Sequence, residues 1–483
     1  MIGISSYGGF VPRYRINRMT IVAAVGWFNP VTLGAASGEK AVANYDEDAI
    51  TMNVAACIDC LRGRDRAKLD GLYAASTTFP YLERENAGII SAALDLKPAI
   101  RSADFRDSTK AGTGALLAAI DAVKSGEAKN ILVGASDSRL GKAGSVQEHY
   151  YGDGAAALLV SDENVIAEFK GSYSMSCDFA EQVRVSSRTF ARPWEERWIR
   201  DEGYLKIMPA LAAGILAKTG MKITDFTKVI YPCLYPRAHK EIAKKLGLEK
   251  GQVADPFHQN VGDVGAAHPL FMLSAALQTA KPGDKILVIG YGNGGDAIAF
   301  EVTPAIAKFS GPRGVSGYLA IREDLTHYEK YTIFRDLVPM ELGIRGEFEA
   351  PTAFSTLWRS HREVMGLVGT KCKACGTAQF PAQRICVNPD CGAVDQMDPY
   401  GFSEKKGTIF AYTGDNLAFS ISPPAIYGSV EMEGGGKLFL DFTDCTLEAV
   451  QVGMPMELSF RRKYIDRERG IHGYFWKALP AKD

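Results

Sequence analysis

Four cysteines near the C-terminal end of the sequence have the spacing of a metal site. Cys372 and Cys375 form a CxxC pair, and Cys386 and Cys391 follow as a CxxxxC pair. Two short knuckles of this kind supply four thiolates, the ligand set that tetrahedral zinc prefers. Because four sulfur ligands leave no open coordination position, the pattern predicts a structural zinc ion rather than a catalytic one.

A second CxxC pair, formed by Cys57 and Cys60, has a different context. It lies inside an amphipathic helical pattern, where residues three apart share one face of the helix. We therefore expect two buried thiols there, and a redox or metal site is the weaker interpretation.

Composition excludes several classes of protein. The chain has 483 residues, a formal net charge of −1, 46% hydrophobic residues and 23% charged residues. This near-neutral balance argues against nucleic-acid binding, which normally needs a basic face. The sequence has no run of about 18 apolar residues, so we expect no segment that spans a membrane. The N-terminal residues lack the pattern of a signal peptide, so we expect a cytoplasmic protein with reduced thiols.

The elements that must position any active site are alternating strands and helices. Two stretches predict helices, one at 46–63 and one at 111–126 with Gly126 as its C-terminal cap. Short apolar runs predict buried strands at 71–76, 130–136, 155–161, 228–232 and 285–292. The alternation predicts a layered α/β domain over residues 1–303.

The pattern changes after residue 303. Residues 304–365 predict a linker with one helix at 352–366, and residues 366–396 hold the cysteine cluster. Over residues 397–483, short alternating segments separated by Gly, Pro and Asp predict a small antiparallel barrel. Some small barrels of this kind bind nucleic acid. That alternative is weaker here, because interleaved basic and aromatic residues are few in this segment.

The segment KCKACGTAQFPAQRICVNPDCG, with GTIFAYT and VGMPMELSFRR after it, resembles the zinc-ribbon/OB-fold family that partners thiolases. The resemblance covers about residues 350–480. It implies a module that docks on a thiolase-like enzyme, here fused to one.

The first 303 residues resemble 3-hydroxy-3-methylglutaryl-CoA synthase and, more distantly, the ketoacyl synthases of the thiolase superfamily. Six segments in order carry the resemblance: DEDAITM, TKAGTGAL, YYGDGAAALLV, HKEIAKKLGL, VGDVGAAHPL and GYGNGGDA. The resemblance implies a five-layered α-β-α-β-α thiolase-like fold, an acyl-CoA substrate and a homodimer or larger assembly.

In this fold a helix start and a Gly-rich turn face the thioester. The helix supplies its dipole and backbone N–H groups, and the turn supplies an N–H for the oxyanion. The resemblance therefore implies acyl-CoA contacts at five positions: Lys110, Gly112, Gly292, Asn293 and Gly294. Read alone, each loop could hold its glycines for turns and packing only.

The sequence departs from the family at its four polar catalytic positions. The cysteine nucleophile falls on Thr109, and the glutamate falls on Thr77. The histidine falls on Pro232, with Cys233 next to it as a possible replacement nucleophile, and the asparagine falls on Asp263. A threonine hydroxyl is a poor nucleophile without an adjacent base, which argues against a covalent acyl-enzyme.

Three residues nevertheless predict proton transfer. His268 lies in an AHPL turn that resembles the GHPL turn of thiolases, and Tyr291 lies near the position of their second cysteine. Asp263 and His258 flank the same turn. Tyrosine and histidine can act as general acid and base. The structural alternatives are a helix cap for His268, core packing for Tyr291 and a turn residue at Asp263.

Two functions remain open from the sequence. The first is aldol or retro-aldol chemistry on a β-hydroxyacyl-CoA, as in aldolases of the thiolase fold that lack the cysteine and pair with the same zinc/OB module. The second is a catalytically silent acyl-CoA-binding scaffold for a partner thiolase. A condensing enzyme that uses acyl-carrier protein is a third, weaker interpretation. Trp194 and Trp198 predict a cap on the substrate side or an ordinary surface helix.

Overall fold

The computed structural model describes residues 1–341 and 351–482, which form two compact units. The first unit comprises Met1–Ala43, Asp48–Ala87 and Lys97–Arg335. The second comprises Asn44–Glu47, Gly88–Leu96 and the described part of Asp336–Asp483. Residues 342–350 of the expected linker lie outside the described residues.

Fourteen strands precede residue 336. They are β1 (Gly3–Phe10), β2 (Tyr14–Asn17), β3 (Glu39–Val42), β4 (Gly71–Ala75), β5 (Arg101–Phe105), β6 (Asn130–Ser138), β7 (Asp153–Ser161), β8 (Ala167–Ser176), β9 (Gln182–Val183), β10 (Arg192–Pro193), β11 (Lys228–Ile230), β12 (Lys285–Tyr291), β13 (Gly294–Val302) and β14 (Glu323–Asp324).

Nine of these strands form one mixed sheet in the order β11-β12-β13-β8-β1-β7-β6-β4-β5. The sheet has two halves, because β1 and β8 are joined only by the pairs Gly3–Glu168 and Ile4–Ala167. Parallel pairs lie at both ends (β11 with β12, and β4 with β5 and β6), and the centre is antiparallel. The five strands expected from the sequence correspond to β4, β6, β7, β11 and β12.

The described helices alternate with the strands. They are α1 (Arg18–Val25), α2 (Ala49–Leu61), α3 (Asn86–Ala93), α4 (Ala111–Lys124), α5 (Val146–Tyr150), α6 (Glu196–Trp198), α7 (Leu205–Thr219), α8 (Pro236–Lys245), α9 (His268–Leu277), α10 (Gly314–Ala320), α11 (Tyr328–Phe334), α12 (Phe354–Arg359) and α13 (His361–Gly366). Over residues 1–341 and 351–482, none has both the length and the apolar composition that a transmembrane helix requires.

Helix α4 carries the predicted helix start and lies in the core. Ala115, Leu116, Ala119 and Ile120 are fully buried at helical spacing. They pack with residues of β6, β7, β12 and α9 in one apolar cluster. The helix ends before Gly126, whose φ of 78° is the left-handed conformation expected of a glycine cap. The cluster therefore fixes the N-terminal end of α4 relative to β12.

The first unit extends beyond residue 303, where the sequence predicted a linker. The side chain of Asp59 accepts the backbone N–H groups of Arg313 and Gly314, and Val315 is fully buried. Arg335 Nη1 donates to Asp153 Oδ2 at 2.8 Å. Residues up to Arg335 are thus bound into the α/β unit.

The second unit contains the cysteine-rich segment and a barrel. Its strands are β15 (Val368–Cys372), β16 (Ala378–Gln379), β17 (Met397–Gly401), β18 (Gly407–Asp415), β19 (Ala425–Met432), β20 (Lys437–Asp441), β21 (Pro455–Asp466) and β22 (Ile471–Pro480). The order of the five-stranded antiparallel sheet is β20-β19-β18-β21-β22. The helix expected at 352–366 is interrupted at Ser360, whose ψ of 20° is not helical.

A buried charge cluster lies within the second unit. Arg461 lies 3.1 Å from Asp46, 2.7 Å from Glu47 and 2.6 Å from Asp444. Lys477 Nζ lies 3.1 Å from Asp46. Burial, together with the nearby carboxylates, raises the pKa of Glu47 to about 8, although Arg461 opposes the shift. With Glu47 protonated, the five side chains hold two positive and two negative charges, and the cluster is neutral.

Two substitutions test this charge balance. Asp46→Asn leaves the buried Lys477 without the carboxylate with which it pairs and should cost about 3–5 kcal/mol of unfolding free energy. Glu47 keeps a proton in the folded state that it loses in the unfolded state. The free energy of unfolding should therefore fall as the pH rises from the ordinary pKa of glutamate towards 8. Glu47→Gln should be nearly neutral at pH 5 and should reduce that pH dependence. Urea unfolding at pH 5 and pH 8 measures both effects, and a destabilised E47Q at pH 5 would contradict the assignment.

Candidate active site and metal centre

The first unit encloses a cavity of about 40 Å³ beside the start of α4. By the criterion that one water needs roughly 10–15 Å³, it holds about three waters. Fourteen residues line it: Thr109, Arg139, Glu181, Gln182, Pro193, Ile199, Tyr204, Pro232, Cys233, Leu234, Tyr235, Asp263, Gly265 and Tyr291. The candidate catalytic residues Thr109, Asp263 and Tyr291 are among them, and His268 is not.

Thr109 lies just before α4, at the position predicted from the sequence. Its hydroxyl donates to the carbonyl oxygen of Tyr291 at 2.8 Å. A Cβ at Gly292 would come within 2.5 Å of both Thr109 Oγ1 and Ser108 Oγ. The close approach of the two loops therefore requires glycine at 292, where φ is 153°.

Tyr291 directs its phenol group to the cavity. The hydroxyl is buried and has no hydrogen-bond partner among the described residues. Its ring lies 4.7 Å from the ring of Tyr204, and a Cβ at Gly203 would overlap the hydroxyl. Burial and the nearby Glu181 raise the pKa of Tyr291 far above its ordinary value, so the phenol is a neutral hydrogen-bond donor.

Glu181 is a functional candidate that the sequence reasoning missed. Its Oε1 lies 3.4 Å from Thr109 Oγ1, and its buried Oε2 has no partner in residues 1–341 and 351–482. Burial raises the pKa of Glu181 to about 7, against opposing hydrogen bonds from backbone N–H groups and Thr109. A carboxyl group with this pKa can both accept and donate a proton near neutrality.

Asp263 lines the same cavity in a different electrostatic environment. The guanidinium of Arg139 donates to Asp263 Oδ1, and the N–H of Gly265 donates to the same oxygen at 2.9 Å. Burial raises the pKa of Asp263, but the charge of Arg139 outweighs it and the pKa is lowered overall. Arg139 also lies 4.1 Å over the ring of Tyr151. The pair keeps Asp263 ionised.

The histidines lie outside the cavity lining. His268 is fully buried, and its Nδ1 accepts the N–H of Val264 at 3.1 Å. Burial lowers the pKa of His268, so the ring is neutral. His258 Nε2 lies 2.6 Å from the carbonyl oxygen of Cys233, and burial lowers its pKa to about 4. The proton-transfer role of His268 stays a prediction.

The residues predicted to contact acyl-CoA lie around the start of α4 and the turn before β13. Lys110 Nζ lies 3.5 Å from Asp296 Oδ1, and Gly112 packs against the carbonyl oxygen of Ala266. The N–H of Gly292 donates to the carbonyl oxygen of Gly294 at 3.1 Å. Of these residues, Asn293 is exposed. Contact of any of them with coenzyme A remains a prediction.

The remaining cysteine and tryptophan candidates from the sequence are buried thiols and a stacked indole. Cys57 and Cys60 are fully buried, as expected, and burial raises the pKa of both thiols. Cys233 lines the cavity, but burial also raises its pKa, so the thiol is protonated. Trp198 stacks on Phe179 at a centroid distance of 6.2 Å.

The cysteine cluster brings its four sulfur atoms within 4.8 Å of one another. Cys372 and Cys391 are 3.8 Å apart, and Cys375 and Cys386 are 3.5 Å apart. Tetrahedral zinc with Zn–S bonds of about 2.3 Å places sulfurs roughly 3.8 Å apart. The donor set and its spacing therefore fit a structural zinc ion held by all four thiolates.

Three family models match parts of the chain. Residues 216–302 match the C-terminal domain of 3-oxoacyl-[acyl-carrier-protein] synthase III. Residues 366–395 match the rubredoxin-like zinc ribbon of ChsH2, and residues 402–461 match its C-terminal OB-fold domain. The zinc-ribbon and OB-fold resemblance is confirmed.

Relatives from two organisms match more than half of the chain. Hydroxymethylglutaryl-CoA synthase of Methanocaldococcus jannaschii is 30% identical over 353 residues, which span 70% of this chain and 100% of that protein. The enzyme of the same name from Pyrococcus furiosus is 32% identical over 311 residues, which span 62% of this chain and 86% of that protein. The chain belongs to the hydroxymethylglutaryl-CoA synthase family.

Solved structures confirm the thiolase-like fold. The crystal structure of an HMG-CoA synthase complexed with CoA has a TM-score of 0.60 at 20% identity and covers 73% of this chain and 95% of its own. The 3-oxoacyl-(acyl carrier protein) synthase III of Pseudomonas aeruginosa has a TM-score of 0.55 at 17% identity, with 63% and 98% coverage. At these identities the likeness establishes the fold alone.

The cysteine cluster predicts the metal content of the protein. We expect one zinc per chain, and Cys375→Ser should lower it severalfold because three thiolates and a neutral hydroxyl bind zinc less tightly. Metal analysis of the purified full chain measures the ratio. Cys445→Ser, outside the cluster, is the control. Full zinc retention in C375S would remove this residue from the ligand set.

Proposed function

We propose that the chain is an enzyme that makes or breaks a carbon–carbon bond in an acyl-CoA thioester by an aldol or retro-aldol step. Membership of the hydroxymethylglutaryl-CoA synthase family supports an acyl-CoA substrate. One observation carries the mechanism: the carboxyl of Glu181 and the unbonded hydroxyl of Tyr291 both line the cavity at Thr109. Such a step needs a base and an oxyanion donor but no nucleophile.

In the cleavage direction, the Glu181 carboxylate takes the proton of the β-hydroxyl group. The Cα–Cβ bond breaks, the carbonyl compound forms, and the bonding electron pair passes to Cα as a thioester enolate. Tyr291 donates a hydrogen bond to the enolate oxygen, and the N-terminal dipole of α4 stabilises its charge. Glu181 then returns its proton to Cα, which yields the shorter acyl-CoA. Condensation runs through the same steps in reverse.

The surroundings of Thr109 argue against a covalent intermediate. Its hydroxyl donates to the carbonyl oxygen of Tyr291, and no histidine is among the residues that line the cavity. The Thr109 hydroxyl hydrogen points to this carbonyl oxygen at 2.8 Å and not to the more distant Glu181 Oε1 at 3.4 Å, so the alcohol is not activated as a nucleophile. We assign Thr109 to joining the start of α4 to Tyr291, and we assign Asp263 to holding Arg139 in place, since an ionised carboxylate with a lowered pKa is a weak base.

The second candidate is the acyl-CoA-binding scaffold for a partner thiolase. The replacement of the family's cysteine, glutamate and histidine by Thr109, Thr77 and Pro232 favours it. Retro-aldol turnover by the isolated chain would exclude the scaffold. Copurification of an active thiolase with a chain that is inactive on a panel of CoA esters would support it. Homo-oligomerisation also remains a prediction.

Two substitutions test the proton-transfer groups. Glu181→Gln and Tyr291→Phe should each lower kcat for β-hydroxyacyl-CoA cleavage by about 100-fold or more, because each removes a group used in proton transfer or oxyanion stabilisation. Glu163→Gln, on an exposed loop, serves as the control. Wild-type rates in both active-site variants would refute the assigned roles.

The pH dependence of cleavage gives an independent test. The base must be deprotonated, so kcat/KM should rise with pH and reach half its maximum near pH 7, where burial places the pKa of Glu181. Thr109 and Arg139 both lower the pKa of this carboxyl, against the larger effect of burial. The residual activity of E181Q should lack this rise. A half-maximum near the ordinary value for glutamate would contradict the assignment.

A further inference from the structure

A short ribbon lies at the mouth of the cavity. Residues 177–194 form it, with β9 and β10 as its paired strands. Gln182 and Pro193 line the cavity and face each other in register. The ribbon is held at its base: Tyr151 Oη donates to Gln182 Oε1 at 2.8 Å, and the N–H of Cys177 donates to the carbonyl oxygen of Asn293 at 3.1 Å.

The outer part of the ribbon carries positive charge. Arg184, Arg188 and Arg192 occur between Gln182 and Trp194, a stretch with no acidic residue. All three arginines are exposed. Arg184 donates to the carbonyl oxygen of Thr77. Arg188 and Arg192 have no ion-pair partner within the described ranges, so their guanidinium groups are available to a ligand.

Apolar side chains are exposed on the same ribbon. The exposed fractions are 56% for Val183, 61% for Val185 and 63% for Trp194. Scattered exposed apolar residues are ordinary, but an apolar patch at the mouth of a cavity is typical of a binding surface. An exposed indole offers a face on which a base can stack, and guanidinium groups near it offer N–H groups that donate hydrogen bonds to phosphate.

We propose that this ribbon binds the nucleotide end of coenzyme A, with Arg188 and Arg192 as partners for its phosphates and Trp194 as a stacking surface for its adenine. This inference rests on the proposed function, because an acyl-CoA that reacts in the cavity must leave its nucleotide outside. Arginine matches phosphate oxygens with two parallel N–H donors.

The geometry suits a ligand that extends outward. Arg192 directly precedes the cavity-lining Pro193 in β10. Arg188 lies five residues from Pro193, which an extended chain spans in at most roughly 17 Å. The pantetheine arm of coenzyme A separates thioester and pyrophosphate by a comparable length.

Binding of coenzyme A to the full chain, measured by calorimetry without turnover, tests the ribbon. The double variant Arg188→Ala/Arg192→Ala should raise the Kd for coenzyme A at least tenfold, and Trp194→Ala should raise it severalfold. Arg101→Ala/Lys129→Ala, which removes the same charge from other exposed positions, should leave the Kd unchanged. Added salt should weaken binding to the wild type more than binding to the double variant.

Three ligands separate the contributions. Pantetheine, which lacks the nucleotide, should bind wild type and double variant equally, and dephospho-coenzyme A should show an intermediate loss. An unchanged Kd for coenzyme A in the double variant overturns the inference. So does a loss confined to acyl-carrier protein, which would assign the ribbon to carrier-protein docking. A chain that binds coenzyme A through the ribbon but cleaves no thioester retains this inference and rejects the proposed enzyme.

Discussion

A carboxyl group held out of water beside neutral hydroxyl groups keeps its proton more readily than one in solvent. Glu181 is in this position, since Thr109 and Tyr291 are its neighbours and its Oε2 has no partner in the described chain. Burial raises the pKa of Glu181 to about 7, although the hydrogen bond with Thr109 opposes the shift. In the proposed reaction this carboxyl group is the proton acceptor.

Two carboxyl groups line the cavity, and their surroundings shift their pKa values in opposite directions. Asp263 has the guanidinium of Arg139 against it and stays ionised, whereas Glu181 lacks such a close cation and titrates near neutrality. Different environments of two carboxyls commonly divide an acid/base role from a purely electrostatic one.

The sequence predicted the features that depend on local spacing. The apolar run at 130–136 became β6, and the two cysteine pairs came together because each knuckle is fixed by its own few residues. Thr109, Asp263 and Tyr291 were found through motifs in three segments. Glu181 was missed, since a single glutamate in the bend before the two-residue strand β9 has no periodicity or motif. Arg139 was missed for a similar reason: its partner is 124 residues away.

Three consecutive acidic residues show how far tertiary context decides the state of a side chain. Asp46 is ionised between Arg461 and Lys477, and Glu47 beside it is protonated. Asp48 caps α2, with its side chain accepting the N–H of Thr51 at 3.0 Å. Three full negative charges at adjacent positions would repel one another in a buried setting. The proton on Glu47, the two cations beside Asp46 and the Thr51 N–H at Asp48 remove that repulsion. The three adjacent residues therefore have three different roles, which their positions in the sequence could not distinguish.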